Sequence, residues 1–87
     1  MKPSDYIRKG WCQNSSALTE HGVAVDENDP LACKWCLYGA FKASGNGSVD
    51  GDAWRKLRDR IGPPIAWNDE SSRTQAEVIA ALESVGL

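Results

Sequence analysis

The sequence predicts an all-α fold: one domain over residues 1–87, with about four short helices packed around a central apolar helix. Two observations support this prediction: capping residues mark the ends of the helices, and apolar residues recur at helical spacing. A chain of 87 residues has room for one small core. Four tryptophans, two tyrosines and one phenylalanine supply much of its bulk.

Capping residues define the ends of the first, third and last helices. Ser4 is a good N-cap for the first helix, and Gly10 ends it. Gly62 ends the third helix, whereas Thr74 and Glu77 form a capping box at the start of the last. The first helix is predicted over Asp5–Lys9 and the second over Pro30–Ser44. The third is predicted to run from an N-cap at Asp50 or Asp52 to Ile61, and the last to begin after Thr74.

The second helix is predicted to be the central one. Asp29 is a good N-cap, Pro30 suits the first helical position, and Gly45 ends the helix. At 100° per residue its small and apolar residues cover an arc of about 200°. They are Ala32, Cys33, Cys36, Leu37, Gly39, Ala40, Phe41 and Ala43. An arc of this width predicts packing by neighbours on several sides.

The loop between the first two helices shows no sustained periodicity. Val23 and Val25 alternate with small or polar residues, which predicts one short extended piece. A loop of about eighteen residues is unusual in so small a domain, so we expect it to be ordered by packing or used in function. The predicted core combines the apolar faces of the helices. It consists of Trp35, Cys36, Ala40, Trp54, Leu57, Ile61, Val78, Ile79 and Leu82.

Charge and cysteine content bear on partners and location. Ten basic and twelve acidic residues give a net charge of −2, which does not favour nucleic acid or an anionic membrane. No apolar run approaches the roughly 20 residues of a membrane span, and the first residues lack a signal peptide's apolar segment. Three cysteines, an odd number, are expected to be reduced thiols. We therefore expect a cytoplasmic protein that does not contact a membrane.

Two metal sites are conceivable, and neither is favoured. Cys12, His21, Cys33 and Cys36 include a C-x-x-C spacing suited to zinc, but the pair is expected within an apolar helix face, where buried thiols are the better interpretation. Residues 46–57 partly follow a calcium-binding loop, yet Leu57 stands where a bidentate glutamate is required. We expect no metal and no cofactor.

Two alternative functions stay open at this point. A small enzyme could use Cys12 or Cys36 as a nucleophile, with His21 as base and an acid such as Asp69. No oxyanion-type motif accompanies them, so an enzyme is the less favoured class. A nucleic-acid-associated protein could instead use the basic face of the third helix, although these charges spread around its solvent side. The basic residues are Arg55, Lys56, Arg58 and Arg60.

The segment Trp67-Asn68-Asp69 admits a structural and a functional interpretation. Asn and Asp side chains bond to nearby backbone amides, which favours a tight Asx-turn; each alanine variant would then lose about 0.5–2 kcal/mol. Alternatively, these groups face outward beside Trp11 and His21 and bind a ligand. The structural interpretation is preferred.

Three motifs resemble those of a known family. They are Gly10-Trp11-Cys12-Gln13, a central W-C-x-x-G-A from Trp35 to Ala40, and Ala66-Trp67-Asn68-Asp69 followed by Glu77-Val78. Together they resemble a family of short bacterial and phage proteins that carry a domain of unknown function. The resemblance implies a stand-alone domain, no established activity and, by analogy, a role on mobile elements.

The function expected from all of this is non-catalytic binding of a protein partner. The candidate binding residues are Trp11, His21, Trp67, Asn68 and Asp69. Nucleic acid is not an expected partner, and both a monomer and a homodimer stay open.

Overall fold

The computed structural model describes residues 1–45 and 51–87, in which five helices pack around a short antiparallel sheet. In chain order the elements are α1 (Pro3–Lys9), β1 (Ala17–Leu18), β2 (Ala24–Val25), β3 (Lys34–Trp35), α2 (Leu37–Ala43), α3 (Asp52–Ile61), α4 (Pro64–Asn68) and α5 (Gln75–Glu83). Helix α1 packs against α2 and α5, and α3 packs against α4 and α5. No helix in these two ranges is both long and apolar enough to cross a membrane.

The prediction of an all-α fold is wrong, because the structure contains a three-stranded sheet. Its strand order is β2-β1-β3, with Ala17 of β1 opposite Val25 on one side and Trp35 on the other. A parallel bridge between Trp11 and Trp35 ties the loop after α1 to the same sheet. Each strand has two residues, which is too short for a period-two pattern to show in the sequence. The loop after α1 is therefore ordered by strand pairing, and its predicted extended piece forms part of β2.

The predicted second helix is wrong in its first half. It begins at Leu37, seven residues beyond the predicted first position at Pro30. Asp29 does accept a hydrogen bond from a backbone amide two residues on, that of Leu31 at 2.8 Å, but it caps a turn rather than a helix. Beyond this turn Cys33 N donates to Leu18 O at 2.9 Å, so the chain pairs with β1. An Asp-Pro pair is found both in turns and at helix starts. Here the pairing of the following residues with β1 excludes a helix, so the pair forms a turn.

Cysteine supplies the true cap of α2. Cys36 has extended backbone angles, and its Sγ accepts from Gly39 N at 3.3 Å. Gly39 lies against the loop before β1: a Cβ placed there would be 1.9 Å from Ser16 O. Because residue 39 has no side chain, the loop backbone before β1 can approach α2 this closely.

The other predicted helices form close to their expected bounds. The capping box of α5 is confirmed, with Glu77 N donating to Thr74 Oγ1 at 3.2 Å and Thr74 N to Glu77 Oε1 at 2.9 Å. Helix α3 spans Asp52–Ile61 and ends at Gly62, as predicted, but its N-cap is Gly51 instead of the predicted Asp50 or Asp52. Helix α1 begins at Pro3 rather than Asp5, because proline suits a first helical position, and its N-cap is Lys2 instead of the predicted Ser4.

One core joins the sheet to the helices. Seven of the nine residues predicted to be buried are buried, and Ile61 and Ile79 are half-buried at its margin. The aromatic rings meet edge-on or tilted, with Trp35 on Tyr6 and Trp54 on Phe41, both at 5.0 Å between centroids. Of the partial calcium motif, residues 46–50 lie outside the described part of the chain, and Leu57 is a fully buried core residue of α3.

Candidate functional site

Asn68 is the centre of a buried hydrogen-bond cluster that joins distant parts of the chain. It has no exposed surface. Its Oδ1 accepts hydrogen bonds from Trp11 Nε1 at 2.8 Å and from Leu37 N at 3.1 Å. Its Nδ2 donates to Cys12 O at 3.2 Å and to Asp69 Oδ1 at 2.9 Å. Because an amide side chain offers two acceptor sites and two donors, groups of the chain itself satisfy Asn68 completely.

Neighbouring polar groups extend the cluster into the loop before β1. Asn14, whose φ of 67° lies in the left-handed region, donates its backbone N–H to Asp69 Oδ1 at 2.9 Å. Gln13 Nε2 donates to the backbone oxygens of Asn68 at 3.0 Å and Glu70 at 2.7 Å. Asn68 ends α4 and Asp69 caps it, so the segment forms a helix end instead of the predicted Asx-turn.

Trp67 is half-buried and packs against Arg73. The guanidinium carbon lies 3.8 Å from the centre of the indole ring, and Arg73 Nε donates to Trp67 O at 3.0 Å. Glu70 at 2.5 Å and Glu77 at 3.3 Å form ion pairs with the same arginine. The Arg73 side chain is 14 % exposed, so this arrangement joins α4 to α5.

A pocket of 280 Å³ adjoins Asp69. It lies where the loop before β1, the start of α2 and α4 meet, and Ser15, Cys36, Tyr38 and Ile65 are among its lining residues. Ile65 is 51 % exposed, which leaves an apolar wall open to solvent. We call this space the Asp69 pocket.

Cys12 and Cys36 are protected thiols in this fold. Burial raises the pKa of Cys12 to about 12, with smaller contributions from Cys36 and the charge of Asp69. Burial also raises the pKa of Cys36, against the backbone N–H groups of Gly39 and Tyr38, which lower it. A nucleophilic thiol requires the opposite shift, so these environments do not favour the enzyme alternative. In residues 1–45 and 51–87 no three His, Cys, Asp or Glu side chains are grouped to hold a metal ion.

His21 lies apart from the Asn68 cluster. It stands at the turn between β1 and β2 with its side chain 83 % exposed, and its Nε2 is 3.3 Å from Glu20 Oε1. Of the five candidate binding residues, the structure therefore joins Trp11, Asn68 and Asp69 by direct contacts. It places Trp67 beside them in α4 and His21 elsewhere.

His21 lines a second surface feature, a groove of 670 Å³ along β2, which we call the sheet-edge groove. Val23, Val25 and Leu31 are among its apolar lining residues, and Glu20 also lines it. Val23 is 58 % exposed and Leu31 70 %. On the predicted second helix, Leu31 falls outside the apolar arc. This position is the feature of the sequence that indicates an exposed apolar residue here.

The basic face of α3 is solvent-exposed along its length. Arg55 pairs with Asp52 at 3.6 Å, and Asp59 interrupts the positive charges of Arg58 and Arg60. This arrangement suits a solvated helix face and adds nothing in favour of nucleic acid.

These features describe a small α+β domain with a satisfied polar cluster and two surface depressions. The chain belongs to a family of unknown function, DUF6197, which matches residues 4–86. The predicted resemblance to a domain of unknown function is thereby confirmed. No curated protein and no solved structure shows significant similarity to the chain.

Proposed function

We propose that this protein is a non-catalytic binding module whose sheet-edge groove takes a segment of a partner protein. The observation that carries the proposal is the pair of exposed aliphatic side chains, Val23 at 58 % and Leu31 at 70 %, in one concave surface. Burying apolar surface is worth about 25 cal/mol per Å², so a partner that covers both side chains gains affinity from them. An apolar floor with a polar edge is the usual anatomy of a protein-binding surface.

Charge indicates the chemistry of the partner segment. Residues 10–33 contain four acidic residues and no lysine or arginine. Three of the four, Asp26, Glu27 and Asp29, lie between β2 and Leu31, and none forms an ion pair within residues 1–45 and 51–87. A segment with apolar side chains flanked by lysine or arginine is complementary to this surface. The cytoplasmic location expected from the sequence remains part of the proposal, since three free cysteines suit a reducing compartment.

Selection of random twelve-residue peptides displayed on phage tests the groove directly. The target is the immobilised chain, and counter-selection uses a Val23→Asp/Leu31→Asp variant, whose changes are both at exposed positions. Ala76→Asp/Ala80→Asp, which adds the same two charges at exposed positions of α5 outside the groove, is the matched control. Retention of the native circular dichroism spectrum shows that the variants fold.

Enriched peptides are expected to combine apolar residues with a net positive charge. They should bind the groove variant at least about tenfold more weakly, bind the control unchanged, and weaken as salt is raised. Peptides that lack net positive charge, or that bind the wild type and the groove variant equally, would contradict the proposal. A selection that enriches no groove-dependent peptide would contradict it as well.

A further inference from the structure

We propose that the Asp69 pocket binds a primary alkylammonium group, carried by a free amine or by a lysine side chain of another protein. This inference is independent of the sheet-edge groove, which has no lining residue in common with the Asp69 pocket. It is based on an unpaired carboxylate, on the hydroxyl and apolar groups around it, and on the number of carboxylate oxygens left free.

The first observation is the state of the Asp69 carboxylate. Its Oδ1 accepts two hydrogen bonds, from Asn14 N and Asn68 Nδ2, both at 2.9 Å. Within residues 1–45 and 51–87, Oδ2 has no hydrogen bond and Asp69 has no ion pair. None of the residues that line the pocket is lysine or arginine. A half-buried carboxylate is thus fixed in place by one oxygen and presents the other without a cation.

The negative charge of Asp69 affects the buried thiols of Cys12 and Cys36. After burial, it is one of the causes that raise the pKa of both Cys12 and Cys36. Cys36 lines the pocket, and Cys12 and Cys36 each directly follow one residue of the bridge between Trp11 and Trp35. At Cys12 the positive charge of Lys34 acts in the opposite direction, as a cation bound beside Asp69 would.

The remaining lining residues suit an alkylammonium group. An ammonium has three N–H donors, and Ser15 and Ser16, whose hydroxyl groups can accept hydrogen bonds, line the same pocket as Asp69. Tyr38 and Ile65 supply an apolar wall for a methylene stem. The volume of 280 Å³ accommodates a four-carbon chain with its charged end.

The hydrogen bonds of Asp69 also discriminate between cations. A guanidinium binds a carboxylate best through two parallel hydrogen bonds, one to each oxygen. Because Oδ1 already accepts two N–H bonds, that bidentate geometry is not open to an arginine. A quaternary ammonium has no N–H to donate and needs an aromatic cage, whereas this pocket is lined by one aromatic residue, Tyr38. The site therefore selects a primary ammonium.

Titration of the ¹⁵N-labelled chain with n-butylammonium, followed by NMR, tests the site. Saturable shifts are expected for the amides of Asn14 and Asp69. The neutral isostere n-butanol and the competitor n-propylguanidinium should each bind at least about tenfold more weakly. Nα-acetyl-lysine methylamide and 1,4-diaminobutane distinguish the two sources: the first binds better if the pocket takes lysine side chains, the second if it takes free amines.

Three variants separate the site from the fold and from the groove. Asp69→Asn keeps the Oδ1 acceptor but removes the charge, and it should weaken n-butylammonium at least about tenfold. Ile65→Ala should weaken n-butylammonium but not methylammonium, because it removes the wall for the stem. Val23→Asp/Leu31→Asp should leave both unchanged. Equal binding of n-butanol and n-butylammonium, or full binding by Asp69→Asn, would overturn the proposal.

Discussion

Replacing Asn68 by alanine is the perturbation with the largest consequence that the structure predicts. The change leaves Leu37 N and Cys12 O without partners, and both belong to buried residues. Each unsatisfied buried group costs about 1–3 kcal/mol, so the expected loss is about 2–6 kcal/mol. Trp11 is half-buried and can bond to water instead, so it adds little. This loss exceeds the 0.5–2 kcal/mol expected from the sequence and is a large part of the total stability of a small domain.

Urea unfolding followed by tryptophan fluorescence and by circular dichroism measures this loss. Asn28→Ala is the matched control, because Asn28 is exposed and its backbone N–H makes the bond to Asp26. It should change stability by less than about 0.5 kcal/mol. Asn68→Asp keeps the accepted bonds and loses the donated ones; it should be destabilising at neutral pH and less so in acid, where protonation restores a donor. A loss below about 1 kcal/mol for Asn68→Ala would refute the assignment of a closed polar cluster.

Three further predictions concern packing and ionisation. Leu82→Ala removes a fully buried side chain of α5 and should cost about 2–5 kcal/mol in thermal unfolding, whereas a negligible change would show that this face is not core. Gly39→Ala should lower the melting temperature more than Gly22→Ala does. A Cβ at Gly39 would lie 1.9 Å from Ser16 O, whereas one at Gly22, with φ +78°, would meet nothing within 4 Å. Equal melting temperatures would contradict the close approach at Gly39. Since the pKa of Cys12 rises from 9.0 to about 12 on folding, the folded state holds its proton more tightly. Stability should therefore fall as pH rises from about 9 to 12, and fall less in Cys12→Ser.

The end of α3 and the start of α5 were predictable because their signals are local. A capping box needs two residues three apart, and Thr74 with Glu77 forms it in the structure as the sequence predicts. Helix α3 is likewise set by a glycine end and an apolar stripe that includes Trp54 and Leu57. Such features depend on neighbours along the chain, so a single sequence contains them.

The sheet and the site depend on partners that are distant in sequence. Strands of two residues carry no pattern of their own, and their pairing is decided where Ser16 and Leu18 accept hydrogen bonds from Cys36 and Cys33. Asn68 was selected from the sequence as a candidate, but its partners Trp11, Cys12 and Leu37 could not be deduced. The sheet-edge groove arises only because the second helix begins late and leaves Leu31 in a turn.

The span of the Asn68 bonds has a consequence for the order of folding events. Asn68 bonds to Trp11 and Cys12, which lie 57 and 56 positions away, and to Leu37, which lies 31 positions away. Contacts of this separation require most of the chain to be closed first, whereas α5 can form from its own capping box. We therefore expect the cluster to form late in folding, after the transition state. Its loss should then speed unfolding and leave the folding rate nearly unchanged. In a chevron plot, Asn68→Ala would shift the unfolding limb alone. The Asn68 side chain would thus determine the lifetime of the native state rather than the rate at which it forms.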